Sequence, residues 1–183
     1  MARHTIVTMP GDGIGKVVLP EAIRVLDKVG LDAEYVHGDI GWEFWRTEGE
    51  SFPQRTIDLL EASDAALFGA ITSKPAKDAE AELVPELQGK GLAYRSPIVR
   101  MRQRFDLFTC LRPCKAYPGN PLNYKEGIDL VIFRENTEGL YAGVEFSPVP
   151  DELKATLVKL SKPFAHFAGI PGDEFAITCK VNT

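Results

Sequence analysis

The sequence predicts an α/β fold: a largely parallel sheet flanked by helices, followed by an antiparallel portion. Three observations carry that reading. Up to residue 71, apolar runs of strand length alternate with segments of helical period, the pattern of strand–helix–strand units. From Phe105 to Phe146 three strand-like segments follow in close order, too near one another for helical crossovers throughout. The composition, 183 residues with 44% apolar and 26% charged side chains, describes a globular chain able to bury a core.

In chain order, "TIVTM" (5–9) reads as a buried strand. "KVVLPEAIRVLDKVG" (16–30) reads as a helix whose stripe is Val17, Leu19, Ile23, Val25 and Leu26, with Gly30 as its stop. "DAEYVHG" (32–38) is a second strand. "PQRTIDLLEAS" (53–63) is a second helix with Pro53 suited to its first turn, and "AALFGAI" (65–71) is a third strand. The polar stretch 73–95 reads as a long surface loop holding one helical turn. "FDLFTCLRP" (105–113), "IDLVIFREN" (128–136) and "GLYAGVEF" (139–146) form the antiparallel portion, and "IDLVIF" is apolar enough to be a buried strand. Residues 151–169 return to helical pattern, and 174–183 begin another strand. The domain division expected is 1–110, the start of a large α/β domain, and 111–183, the start of a second α/β domain concerned with substrate and dimer contacts.

A net charge of −5 argues against nucleic acid as a bulk partner. Cys110, Cys114 and Cys179 have neither zinc-ligand nor redox-pair spacing, and their odd number does not suggest a disulfide framework. No apolar signal core opens the chain, and no run reaches the length of a membrane helix. A cytoplasmic location is expected.

Arginine is nevertheless concentrated between Arg95 and Arg134. "PGDGIGK" (10–16) offers glycines between a strand and a helix, but a dinucleotide fingerprint needs its last glycine one position later. A tight structural turn whose glycines permit positive φ is the better reading. Ser96 followed by Pro97 is a good helix opening, where a carboxylate could sit and be clamped by Arg102. A capped surface helix with solvated arginines explains the same residues. Arg112 follows "FTCL" and Arg134 follows "IDLVIF", so two strands each deliver an arginine at or near an end. Each needs an internal carboxylate such as Glu135, or an anionic ligand. Arg102, Arg112, Arg134 and Ser96 together exceed what one internal ion pair requires, and a small polycarboxylate fits them better. Tyr141 could supply a proton nearby.

"GDGIGK", "LFGAITSKP", "SPIVRMRQRFDLFTCLRP", "DLVIFRENTEGLYAGVEF" and "ITCKVN" together resemble the metal-dependent β-decarboxylating dehydrogenases, the isocitrate, isopropylmalate and homoisocitrate dehydrogenase family, and most resemble isocitrate dehydrogenase. The resemblance runs from residue 5 to the last residue and covers the N-terminal half of such an enzyme. It implies oxidative decarboxylation of isocitrate to 2-oxoglutarate with reduction of NAD or NADP. It implies that Arg102, Arg112 and Arg134 bind substrate carboxylates, that Ser96 holds the carboxylate distinguishing isocitrate, and that Tyr141 returns a proton to the enolate carbon. Lys180 matches the lysine that serves the hydroxyl proton in the neighbouring subunit of a homodimer, and Thr72 matches a threonine beside the nicotinamide. Mg²⁺ or Mn²⁺ is implied, held by aspartates that lie beyond residue 183 in the family's order. "GDGIG" is structural in this family.

Two features depart from the isocitrate pattern. Ile98 stands where an asparagine is usual, which keeps homoisocitrate and 3-isopropylmalate open as substrates. The loop from Ser73 to Ser96 is also longer than in the commonest members. A non-catalytic subunit or binding fragment that keeps the anion pocket is the rival reading; the presence of both Tyr141 and Lys180 weighs against it. The 183-residue chain by itself is expected to be inactive.

Overall fold

The computed structural model describes residues 3–182, the side chains of Ala76 and Lys77 excepted. The chain divides into two compact units, residues 1–101 and 102–183.

The first unit is built on a three-stranded parallel sheet. β1 (His4–Gly11) lies between β2 (Ala33–His37) and β3 (Ala65–Ala70), in register His4 to Ala33 and Ile6 to Ala65. As the central strand of a parallel sheet, β1 is covered on both faces, and Ile6, Val7, Thr8 and Met9 are all buried. α1 (Gly15–Lys28) makes the crossover to β2. Its buried stripe is narrower than the sequence suggests: Leu19 is buried and Ile23 and Leu26 are half-buried, whereas Val17 and Val25 are exposed. At about 100° per residue, Leu19, Ile23 and Leu26 share one face and the two valines fall well away from it. Gly30, at φ 78°, terminates the helix as expected.

α2 (Trp42–Glu48) has no counterpart in the sequence reading, and α3 (Gln54–Glu61) begins just after Pro53. The stretch 73–95, expected as a surface loop with one helical turn, folds as α4 (Ala76–Ala81) and a 3₁₀ turn at Pro85–Leu87. It is not a surface loop throughout. Ala79 and Leu83 are buried against Trp42 and Trp45, with Leu87, Leu92 and Tyr94 packed around them. The indoles explain why. Trp45 Nε1 donates to the Ala79 carbonyl at 2.8 Å, Trp42 Nε1 donates to Glu82 at 2.7 Å, and both rings meet Tyr94 edge-on. α5 (Pro97–Arg104) straddles the division between the units.

In the second unit, β4 (Thr109–Lys115) and β5 (Asp129–Glu135) form one antiparallel pair, and β6 (Gly139–Phe146) and β7 (Ile177–Val181) form another with an irregularity between Gly139 and Val144. The antiparallel portion is therefore present, as two separate ribbons. "IDLVIF" forms the expected strand but is not buried: Leu130, Val131 and Ile132 are each about half exposed and Phe133 is 72% exposed. A strand that is apolar at every position requires cover on both faces, and a two-stranded ribbon supplies neither. α6 (Asp151–Leu160) stops short of the expected residue 169. Pro163 lacks the N–H that would continue the helix, and residues 163–167 form a 3₁₀ turn instead.

Candidate functional site

The "GDGIG" turn closes the C-terminal end of β1. Gly11 (φ 70°) and Gly13 (φ 48°) take the left-handed conformations expected of a tight turn. Gly15 is required by closeness: a Cβ there would lie 2.0 Å from the Pro10 carbonyl oxygen and 2.5 Å from the Ala70 nitrogen. Between them, the Asp12 carboxylate accepts from the backbone N–H groups of Trp42 at 2.7 Å, Glu43 at 3.3 Å and Thr72 at 2.9 Å. Asp12 thus caps α2 and fixes the segment after β3 at once. Thr72, the residue expected beside a nicotinamide, is exposed. Its backbone is pinned by Asp12 on one side and by the Tyr94 hydroxyl on the other.

Ser96 immediately precedes α5, and its carbonyl accepts from Arg100 N–H at 3.1 Å, so the helix opens where Ser96–Pro97 predicts. Arg100 pairs with Glu50 and lies over Phe52, which gives it a structural role.

The other five predicted residues belong to the second unit. Arg102 is in the last turn of α5, Arg112 is on β4, Arg134 on β5, Tyr141 on β6 and Lys180 on β7. The β4–β5 register sets Cys110 opposite Arg134. Because side chains alternate along a strand, Cys110 and Arg112 share one face with Arg134 and, one alternation further on, Asn136. The Asn136 N–H donates to the Phe108 carbonyl at 2.8 Å, which extends the ladder to that position.

Arg112 Nε–H donates to the Cys110 sulfur at 3.2 Å. The Arg134 guanidinium lies 4.9 Å from the centre of the Tyr141 ring, within the range of a cation–π contact. Where a core ion pair would place a carboxylate, these arginines meet a thiol and an aromatic ring. Glu135 does not serve as an internal partner for Arg134. Its carboxylate is taken up by its own turn, accepting from Thr137 N–H at 2.5 Å, Thr137 Oγ1 at 2.6 Å and Glu138 N–H at 2.7 Å. These bonds, led by the one from the Thr137 hydroxyl, hold its carboxyl below the ordinary glutamate value. Lys180 is exposed, and the outer part of its side chain runs past Gly139 at the start of β6.

Cys110 and Asn136 were not foreseen. The Arg112 hydrogen bond first, then the Arg112 charge, Asn136 and the Arg102 charge, hold the Cys110 thiol below its ordinary value, against an opposing push from burial. Asn136 is buried and its Oδ1 has no hydrogen-bond partner. The signal that would have found both is the period of two: Cys110 precedes Arg112 by two residues and Asn136 follows Arg134 by two.

Among the described residues no group of three or more His, Cys, Asp or Glu side chains could hold a metal ion. The residues present therefore do not fit the divalent ion that the family generally uses. No helix among them is long and apolar enough to cross a membrane.

The family model described as isocitrate/isopropylmalate dehydrogenase matches residues 5–162. Protein DlpA of Legionella pneumophila is 37% identical over 180 residues, 97% of this chain and 28% of that protein. The isocitrate/homoisocitrate dehydrogenase of Thermus thermophilus is 40% identical over 144 residues, 78% of this chain and 38% of that enzyme. Among solved structures, isocitrate dehydrogenase from Methylococcus capsulatus superposes with a TM-score of 0.65 at 26% identity, over 90% of this chain and 48% of that one. The chain thus spans less than half the length of each of these relatives. With most of its length matched by the family model, and its parallel sheet, antiparallel ribbons and helices matching those of a solved member, the chain belongs to the isocitrate/isopropylmalate dehydrogenase family.

Proposed function

We propose that the chain is the N-terminal part of an isocitrate dehydrogenase, which converts isocitrate to 2-oxoglutarate with reduction of NAD or NADP. The observation that best supports this is the β4–β5 face, where Arg112 and Arg134 stand together and Arg134 lies over Tyr141. Guanidinium groups bind carboxylates through paired hydrogen bonds, and two on one face suit a substrate bearing several.

In this reading Arg102, Arg112 and Arg134 bind and orient the substrate carboxylates, and Ser96 receives the carboxylate particular to isocitrate. Tyr141 delivers a proton to the enolate carbon left by loss of CO₂. Lys180 handles the hydroxyl proton in the active site of a neighbouring subunit, so the working enzyme is a homodimer. Thr72 lies beside the nicotinamide, and the coenzyme, when bound, supplies the hydride acceptor. The family's Mg²⁺ or Mn²⁺ would take its ligands from outside the described residues. The 183-residue chain alone gives no turnover. The substrate is a small hydroxy acid with two or three carboxylates, nucleic acid and membrane are not partners, and the compartment is the cytoplasm.

Homoisocitrate is the second reading, because the half-buried Ile98 stands at the position where an isocitrate site usually has asparagine; 3-isopropylmalate is a third. Measuring kcat/KM for all three acids under one condition, in the complete enzyme that carries this chain, tests the assignment. Isocitrate is expected to be the best substrate, and a preference for either rival overturns it.

A further inference from the structure

We propose that Cys110 is a modification site, a thiol held between Arg112 and Asn136 on the β4–β5 face that undergoes exchange with anionic disulfides. This goes beyond the dehydrogenase reading and does not rest on which acid the enzyme oxidises.

The geometry has three parts. Arg112 Nε–H donates to the Cys110 sulfur at 3.2 Å, a charge-assisted contact that favours thiolate over thiol. Arg134 stands directly opposite Cys110 across the ribbon, so an approaching anion meets a second cation on the same face. Asn136 completes the setting. It follows Arg134 by two residues, beside Phe108, whose carbonyl takes its N–H; it is 6% exposed, and its Oδ1 is buried without a partner. A buried amide oxygen without a donor, two residues along the same face from Arg134, is a polar group left for a bound ligand or water to satisfy. Cys110 itself is only partly buried, so reagents can reach it.

The other two thiols are built differently. Cys114 is exposed, and its S–H donates weakly to the Arg112 carbonyl oxygen at 3.8 Å, the opposite polarity to the Cys110 contact. Cys179 is on β7, in the other ribbon.

The step balances without an added oxidant. Cys110 has released its proton to solvent, and its thiolate attacks one sulfur of the disulfide. A protein–reagent S–S bond forms as the reagent's own S–S bond breaks, and the other half leaves as a thiolate with the electron pair. Cys110 is oxidised to the mixed disulfide and the reagent is reduced. The arginines raise the local concentration of an anionic reagent and stabilise its departing thiolate.

The test uses the complete protein that carries this chain and two disulfides, the dianionic dithiobis(2-nitrobenzoate) and the neutral dithiodipyridine, with acid quenching and mass mapping of each cysteine. At neutral pH and low salt, Cys110 is expected to react on the order of tenfold faster than Cys114 or Cys179 with the anionic reagent. That lead is expected to be smaller with the neutral reagent, to shrink as salt screens the arginines, and to vanish in denaturant. Arg112→Gln should bring the Cys110 rate down to that of Cys114 while the far-UV circular dichroism is unchanged. If that variant fails to fold, the comparison of three thiols within the unaltered chain still decides the matter. A folded chain whose Cys110 reacts no faster than Cys114, or shows the same lead with both reagents, overturns the proposal.

Discussion

The Arg134 guanidinium lies over the Tyr141 ring, 4.9 Å from its centre, joining a residue at the end of β5 to one near the start of β6. The two strands belong to different ribbons, so this contact ties the arginine face to the tyrosine expected to donate a proton. Tyr141→Phe keeps the ring beneath the cation and removes only the hydroxyl. In the complete enzyme kcat should fall about 10²- to 10⁴-fold, the usual contribution of a positioned general acid. KM for isocitrate should change little. A fall in kcat of less than twofold would assign Tyr141 to packing alone.

The "GDGIG" turn gives a prediction about stability. Gly15→Ala drives a Cβ into the backbone of Pro10 and Ala70, whereas Gly13→Ala meets nothing within 4 Å and bears only the cost of positive φ. The first should cost more than about 4 kcal/mol and the second about 1–2 kcal/mol. Trp42 and Trp45 both lie in the first unit, so urea melts followed by tryptophan fluorescence report this unit directly. Equal losses at the two positions would show that the turn is not held by close backbone approach.

A pH dependence follows from Glu82. Its bond from Lys74 foremost, then that from the Trp42 indole, holds its carboxyl below the ordinary value of 4.5. A carboxyl lowered in the folded state binds fewer protons there than in the unfolded chain. The stability it contributes is therefore present above the ordinary value and is lost as pH falls through the lower, folded one. Glu82→Gln should flatten the acid limb of the tryptophan-detected stability curve between pH 5 and the folded value, and leave the curve near neutrality parallel to that of the parent. An acid limb identical in both proteins would remove Glu82 from the account.

The strand–helix order of the first unit was legible in the sequence because the burial it reflects is local to each element. β1 is apolar because it is central, and Gly30 ends α1 because the chain must take positive φ there. What escaped depends on partners far away in the chain. α2 is capped by Asp12 across thirty residues and by no side chain of its own. The polar stretch 73–95 is pinned by two indoles that stand 40 and 34 residues before the groups they bind, Glu82 and Ala79. No periodicity within either segment reports such contacts. In the second unit the strands were legible but their cover was not, since "IDLVIF" has the composition of a buried strand and lies exposed. Arg112, Arg134 and Tyr141 stood out as charges and a hydroxyl beside apolar runs. Cys110 and Asn136 did not, because a cysteine and an asparagine near a strand end are unremarkable until the register sets them beside the arginines.

The central claim is that the arginines of the β4–β5 face clamp a carboxylate ligand and do not hold the fold together, and Arg134→Lys tests it most directly. Lysine keeps the charge but loses the planar fork. Two quantities decide the outcome: kcat/KM for isocitrate in the complete enzyme and the urea midpoint of the same protein. The account predicts a loss of about 1.4–2.7 kcal/mol in transition-state binding, roughly 10- to 100-fold in kcat/KM, with stability held within about 0.5 kcal/mol. Unchanged kcat/KM with a collapsed midpoint would contradict it and make Arg134 a structural residue.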